Sequence, residues 1–405
     1  MEYLERITSY EILFWLVFNN VNFEAIKLKP LKIAVNTRLL LKDKMEGIGW
    51  FTYETLSRIT KSYPEVEFLF FFDRAYDKSF IFSDNVKPVV VSPQARHPVL
   101  YYTWFHIMIP RLMKKYQPDL FFSPDGYLPL KTKTPTLPVY HDLNFEHYPG
   151  DLPAAERFYY RRYFPKYARQ ATRIATVSEY SKMDIIDKYG VAAEKIDVVY
   201  NGVNPAFQPI ENQHQEKVRR QHTSGKPYFL FVGALHPRKN PVNLFKAFEL
   251  FKQETHAPHL LALAGNLKWW TAPIKKAYEE NRFKNDIALL GRQPFIDLQK
   301  LVASAEALTY ISYFEGFGIP IVEAFQAGTP VITSNITSMP EVAGDAALLI
   351  DPFNPESIAE AMKKIYNDDT LKQKMILKGK KRAARFSWEK TAEQLWESMM
   401  KTTKL

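Results

Sequence analysis

"ALTYISYFEGFGIPIVEAFQAGTPVITS", residues 307–334, holds an apolar run, a glycine-bearing loop, a short helical segment and a second apolar run. The runs 307–312 and 330–334 read as strands bounded by turn residues. Between them, Gly316 and Gly318 permit backbone conformations that other residues resist. Pro320 suits the first position of a helix and Gly328 the residue just past its end, so the spacing predicts a helix from about Ile319 to Ala327. Continuously apolar strands joined through a helix indicate a parallel sheet covered on both faces.

The same alternation runs along the chain. Strands are expected at 31–37, 67–73, 87–92, 119–124, 137–142, 173–178 and 196–201, then at 228–233, 260–265, 287–291, 307–312, 330–334 and 347–351. The polar, proline-bearing stretch 204–227 separates the two sets. The reading is an α/β protein of two doubly wound, Rossmann-like domains, residues 31–206 and 207–385, after an extension over 1–30. Ligands of such sheets bind beyond the carboxyl ends of the strands, which makes the cleft between the domains the natural site.

Two carboxylates flank the predicted helix mouth. Glu315 lies in the glycine loop and Glu323 in the first turns of the helix, and carboxylates are rarely buried without partners. A helix mouth presents amide N–H groups to a phosphate, while the carboxylates accept hydrogen bonds from hydroxyls. That combination fits a sugar nucleotide. The same stretch also fits a capped core helix with Glu323 in solvent.

"VGALHPRKNP" (232–241) follows the first strand of the second half. Arg238 and Lys239 stand just before a helix for which Asn240 is the expected N-cap, a setting suited to a pyrophosphate. Adjacent surface cations are more often solvated, but a strand end raises the functional reading. His141, with Asp142, ends a strand of the first half and points to the same cleft. Gly47 and Gly49 fall between the first strand and the next helix. Neither "GIGWFT" nor "GFGIPI" completes G-x-G-x-x-G, which disfavours a nicotinamide or flavin cofactor.

Other chemistries are excluded or weakened by what is missing. The sequence has no cysteine, hence no disulfide and no thiolate metal site. It has no D-x-D, H-E-x-x-H, G-x-x-x-x-G-K-[ST] or G-x-S-x-G, so no metal is expected on a diphosphate and the cations must stabilise it. The net charge of +10 favours an anionic partner. "ILFWLVF" (12–18) is too short to span a bilayer and lacks the flanks of a signal peptide. The expectation is a cytoplasmic protein that can touch the inner membrane face. "FYYRRYFPKYARQATR" (158–173) interleaves aromatics with cations, as surfaces that stack nucleic-acid bases do. Its helical spacing reads instead as an amphipathic helix packed on the sheet or lying at an anionic membrane surface, and no nucleic acid is expected as a partner.

Taken together, "GALHPRKN", "FEGFGIPIVEAFQAGTPVI" with Glu315 and Glu323 eight positions apart, and "SMPEVAGDAALLIDPFNP" resemble the family-4 retaining glycosyltransferases of the GT-B fold, across residues 31–400. "RIATVSEYSKMDII" and "FSWEKTAEQLW" look like segments of the same family. The resemblance implies transfer of a sugar from a nucleoside-diphosphate donor, without a cofactor and with retained configuration. The acceptor would be a glycan, a lipid-linked sugar or a small molecule, bound by the first domain. It implies that Glu315 holds donor-sugar hydroxyls and Glu323 the ribose, that Arg238 and Lys239 hold the diphosphate with amides of Phe317 and Gly318, that His141 lies near the anomeric carbon, and that Gly49 supplies a backbone contact. A last helix, 386–405, would cross back to the first domain. Many members carry a basic residue where this chain has Ala234, which shifts work onto Arg238 and Lys239. The pattern leans towards mannosyl transfer from GDP-mannose. The alternative is a non-catalytic protein of the same fold that binds nucleotide or glycan.

Overall fold

The structure is a computed structural model and describes residues 30–42, 44–267 and 270–404. The apolar segment 12–18 lies outside the described residues.

All thirteen strands expected from the sequence are present, in two parallel sheets. The first comprises β1 (Lys32–Asn36), β2 (Glu67–Phe72), β3 (Val86–Val90), β4 (Leu120–Ser123), β5 (Thr136–Tyr140), β6 (Ile174–Thr176) and β7 (Ile196–Val198), in the order β3-β2-β1-β4-β5-β6-β7. The second comprises β8 (Tyr228–Val232), β9 (Leu260–Ala264), β10 (Ile287–Gly291), β11 (Ala307–Tyr310), β12 (Val331–Ser334) and β13 (Leu348–Ile350), in the order β10-β9-β8-β11-β12-β13. Each order reverses once, between β1 and β4 and between β8 and β11, and those reversals are where doubly wound sheets bind ligands.

Central strands such as "LFFS" and "YFLFV" are buried along their whole length because helices cover both faces. Helix Gly47–Ser62 packs on one face of the first sheet through Phe51, Leu56 and Ile59, and the aromatic helix Ala154–Gln170 on the other through Tyr159, Phe164 and Tyr167. The stretch 204–227 is not wholly a linker: Asn212–Thr223 forms a helix whose Val218 joins the second-domain core.

The last helix, Trp388–Thr403, returns to the first sheet. Ser387 caps it by accepting from Lys390 N–H. Its Trp388, Ala392, Leu395 and Met399 are buried among Ile33, Phe51 and Phe122, and Trp396 stacks on Tyr63 at 3.8 Å. The two crossings between domains touch: a Cβ on Gly202 would lie 2.3 Å from the Trp388 nitrogen, so only glycine fits.

Candidate functional site

The loops that follow the central strands converge on a cleft of about 790 Å³ between the domains. In the second domain, the loop after β8 carries Arg238 and Lys239 on a short turn, Pro237–Lys239, which His236 caps by accepting from Arg238 N–H. The loop after β11 carries Glu315. The Arg238 guanidinium lies 2.8 Å from one Glu315 oxygen and donates to the Phe314 carbonyl at 2.7 Å. Lys239 Nζ donates to the other Glu315 oxygen at 2.6 Å and to the Tyr310 hydroxyl at 2.5 Å.

This is a triad of two half-buried cations around one buried carboxylate. Burial alone would raise the Glu315 carboxyl, but Arg238 and then Lys239 hold it down to about 2. Burial lowers Lys239, and Glu315 opposes that shift. The triad keeps one uncompensated positive charge in a low-dielectric setting, where it attracts an anion far more strongly than it would in water.

Gly318 opens the helix Ile319–Gln326 with φ +99°, a conformation in the left-handed region that explains its glycine. Its neighbour Phe317 lines the cleft and packs its ring on Phe386, 5.4 Å between centroids. Glu323 sits one turn inside the helix and lines an adjoining cavity of about 260 Å³ that shares Gly47, Ile319 and Pro320 with the main cleft. Among the described residues its carboxyl makes no hydrogen bond or ion pair, and burial pushes it up to about 8. The two glutamates therefore occupy opposite electrostatic settings, one clamped by cations and one with none.

From the first domain, His141 follows β5. Its Nε2–H donates to the Pro124 carbonyl at 2.8 Å, which leaves Nδ1 as the free acceptor, and burial lowers its pKa, partly offset by that carbonyl. Its own carbonyl packs against Gly316, where a Cβ would lie only 1.8 Å away. Ser178 and Ser181 donate to the Gly316 carbonyl at 2.6 and 3.3 Å, and Ser338 braces Glu315 and Phe317 from behind. The loop bearing Glu315 is thus docked on the first domain. Glu341 reinforces this: its carboxylate accepts from Glu179 N–H, Tyr180 N–H and the Tyr200 hydroxyl, and so caps the first-domain helix Glu179–Tyr189 from the other domain.

Two local expectations need correction. Gly49 is not in a loop before the helix but in its first turn, where a Cβ would come within 2.9 Å of the Leu39 carbonyl. Asn240 precedes its helix with φ 61° but does not cap it; its amide donates to the Ile311 and Pro352 carbonyls instead, because the turn before it swings the side chain towards the sheet. Residues that sequence reasoning passed over include Glu341, Tyr310 and the pair Arg38–Asp125, all at the cleft or the domain contact. Arg38 and Asp125 directly follow apolar strands of the first half, and the strand-end logic that found Arg238 would have found them.

Comparisons with known proteins give a consistent picture. The model of glycosyltransferase family 4 matches residues 45–207, and that of glycosyl transferases group 1 matches residues 212–382. The chain is similar to O-antigen chain mannosyltransferase B of Escherichia coli, 28% identical over 87% of this chain and 96% of that one. It is also similar to O-antigen chain mannosyltransferase RfbU of Salmonella typhimurium, 29% identical over 66% and 71%. Among solved structures, Anabaena HepE in complex with UDP and glucose superposes with a TM-score of 0.69 at 19% identity, over 92% of this chain and all of that one.

Proposed function

Because the chain belongs to the family-4 glycosyltransferases of the GT-B fold, we propose that it moves a mannosyl residue from a nucleoside-diphosphate donor, GDP-mannose favoured, to a glycan or lipid-linked acceptor. The observation that carries the reading is the convergence of Arg238, Lys239 and Glu315 beside the mouth of helix Ile319–Gln326. A diphosphate placed there meets both cations, and the unpartnered Glu323, one turn on along the helix in the adjoining cavity, is left for the ribose. The triad's excess charge stabilises the diphosphate as it departs, and no metal or cofactor is required for that. His141 Nδ1, held as an acceptor, orients a donor-sugar hydroxyl. The departing diphosphate oxygen takes the acceptor's proton on the same sugar face, so the anomeric configuration is retained.

The test is incubation with GDP-mannose and a mannosyl acceptor, with and without EDTA, followed by NMR of the anomeric proton. Release of GDP with an α-linked product, unaffected by EDTA, is expected. An inverted product, or activity that needs added magnesium or manganese, refutes the mechanism.

An anionic membrane surface is proposed as a further partner. No acidic residue occurs between 157 and 178, while Arg161, Arg162 and Lys166 are exposed there beside Phe158, 71% exposed. Basic residues near such a surface each contribute about 1 kcal/mol of attraction. No helix among the described residues is long and apolar enough to cross a membrane.

A further inference from the structure

The adjoining cavity that holds Glu323 is walled by two aromatic rings, one from each domain. Trp50 comes from the first domain, on the face of helix Gly47–Ser62 that also brings Gly47 and Glu54 to the cavity at helical spacing. Phe51, Leu56 and Ile59 of the same helix pack into the core and fix its position. Phe295 comes from the second domain, as the first residue of helix Phe295–Ser304 after β10, and Leu298 one turn on lines the same wall.

The two rings stand 6.2 Å apart between centres, with planes 28° from parallel. Trp50 is 36% exposed and Phe295 42%, an exposure that large apolar side chains ordinarily avoid. Each is held edge-on by a further ring, Tyr53 against Trp50 at 5.7 Å and 79°, and the buried Phe207 against Phe295 at 5.7 Å and 84°. An edge-on support fixes a ring without covering its face. Two supported faces at this spacing suit a flat heterocycle. Sandwiching one needs roughly 7–8 Å, twice the contact distance between carbon atoms, so the rings have to part by only about 1–2 Å.

The cavity is also placed for such a group. It shares Gly47, Ile319 and Pro320 with the main cleft, and Glu323 stands on its wall. Its volume of about 260 Å³ falls short of a whole-ligand site of roughly 300–1,000 Å³, as a compartment for one end of a ligand does. A ligand with its diphosphate on the triad and its ribose at Glu323 therefore brings its base to these two rings.

We propose that Trp50 and Phe295 form an aromatic clamp for the nucleobase of the donor, completed by one ring from each domain. The inference rests on the nucleotide-donor reading and adds to it a side chain of the first domain. Because the rings belong to different domains, the base is gripped only in the arrangement that also docks the Glu315 loop on the first domain.

The experiment is calorimetric titration of the full chain with GDP and with inorganic pyrophosphate, which meets the triad but has no base. Trp50→Ala and Phe295→Ala should each weaken GDP roughly five- to a hundredfold, the usual loss when one stacking ring is removed. Pyrophosphate affinity should stay at the wild-type level in both, which shows that they fold. Trp50→Phe keeps an aromatic face and should retain most of the GDP affinity. Unchanged GDP affinity in either alanine variant overturns the clamp. So does equal weakening of GDP and pyrophosphate, which makes the rings supports of the fold, or a Trp50→Phe variant as weak as Trp50→Ala. A wild type that binds pyrophosphate but not GDP overturns the nucleotide reading and the clamp together. The expected binding pattern without turnover of GDP-mannose leaves the clamp standing and overturns the transferase reading alone.

Discussion

Glu323 offers a proton-coupled test of nucleotide binding. Its carboxyl stands half-buried at a cavity wall without a partner among the described residues, and desolvation pushes it up to about 8. A carboxylate holds two ribose hydroxyls better than a carboxylic acid does. Near pH 7 only roughly a tenth of a group with that pKa is ionised, so binding through the carboxylate costs about 1.4 kcal/mol of population, or tenfold in affinity. Raising the pH from about 7 to about 9 removes that cost, and nucleoside-diphosphate binding should tighten roughly tenfold. Binding near neutral pH should release close to one proton. Calorimetric titration in buffers of different ionisation enthalpy reads that proton directly. Glu323→Gln forfeits a charged hydrogen bond of about 1.5–3 kcal/mol but also escapes the ionisation cost, so its deficit is small near neutrality and grows to between about ten- and a hundredfold in alkali. Equal proton release by variant and wild type, or a deficit that does not change with pH, would refute the reasoning. The sign also reaches stability: a carboxyl raised by folding contributes stability that falls as pH rises from the ordinary glutamate range through about 8.

Glu315→Gln leaves two half-buried cations without their counter-ion, which should destabilise the ligand-free protein by about 1–3 kcal/mol. Bound nucleoside diphosphate should then raise the melting temperature more in the variant than in the wild type. Because Glu315 is held near 2, the wild type should lose stability as pH falls from the usual glutamate range towards 2, a limb the variant lacks in thermal melts. Gly316→Ala drives a methyl into the His141 carbonyl and so parts the domains at the sugar site; kcat should fall about a hundredfold with nucleotide affinity retained, measured by steady-state kinetics and titration. Deletion from Phe386 onward uncovers Ile33, Phe51 and Phe122 and should give insoluble protein, while Leu395→Ala should cost about 2–5 kcal/mol in denaturant melts.

The strands were legible because each is an unbroken apolar run, and a run such as "FLFVG" has no other stable place than the middle of a covered sheet. The candidate site was legible where a local motif follows a strand end, as Arg238, Lys239 and Glu315 do, or opens the helix after it, as Glu323 does. What stayed hidden depends on distance in sequence. Arg38 and Asp125 are 87 positions apart and Glu341 caps a helix 162 positions away, and no spacing rule reaches so far. Nor does sequence assign the two glutamates their opposite environments, since that follows from which side chains the fold brings beside each. Asn240 was misjudged for a related reason: its type suits a cap, but the turn before it gives its amide two carbonyls of the loops that follow β11 and β13.

The central claim is that the cleft takes a nucleoside-diphosphate sugar on the triad. Its most direct test is calorimetric titration of GDP-mannose, UDP-glucose and ADP-glucose into the wild type and into Arg238→Ala. GDP-mannose should bind the wild type most tightly, and Arg238→Ala should weaken it by at least about tenfold, since loss of a charged hydrogen bond costs about 1.5–3 kcal/mol. Equal affinity in the two proteins, or no heat from any of the three sugars, would contradict the account.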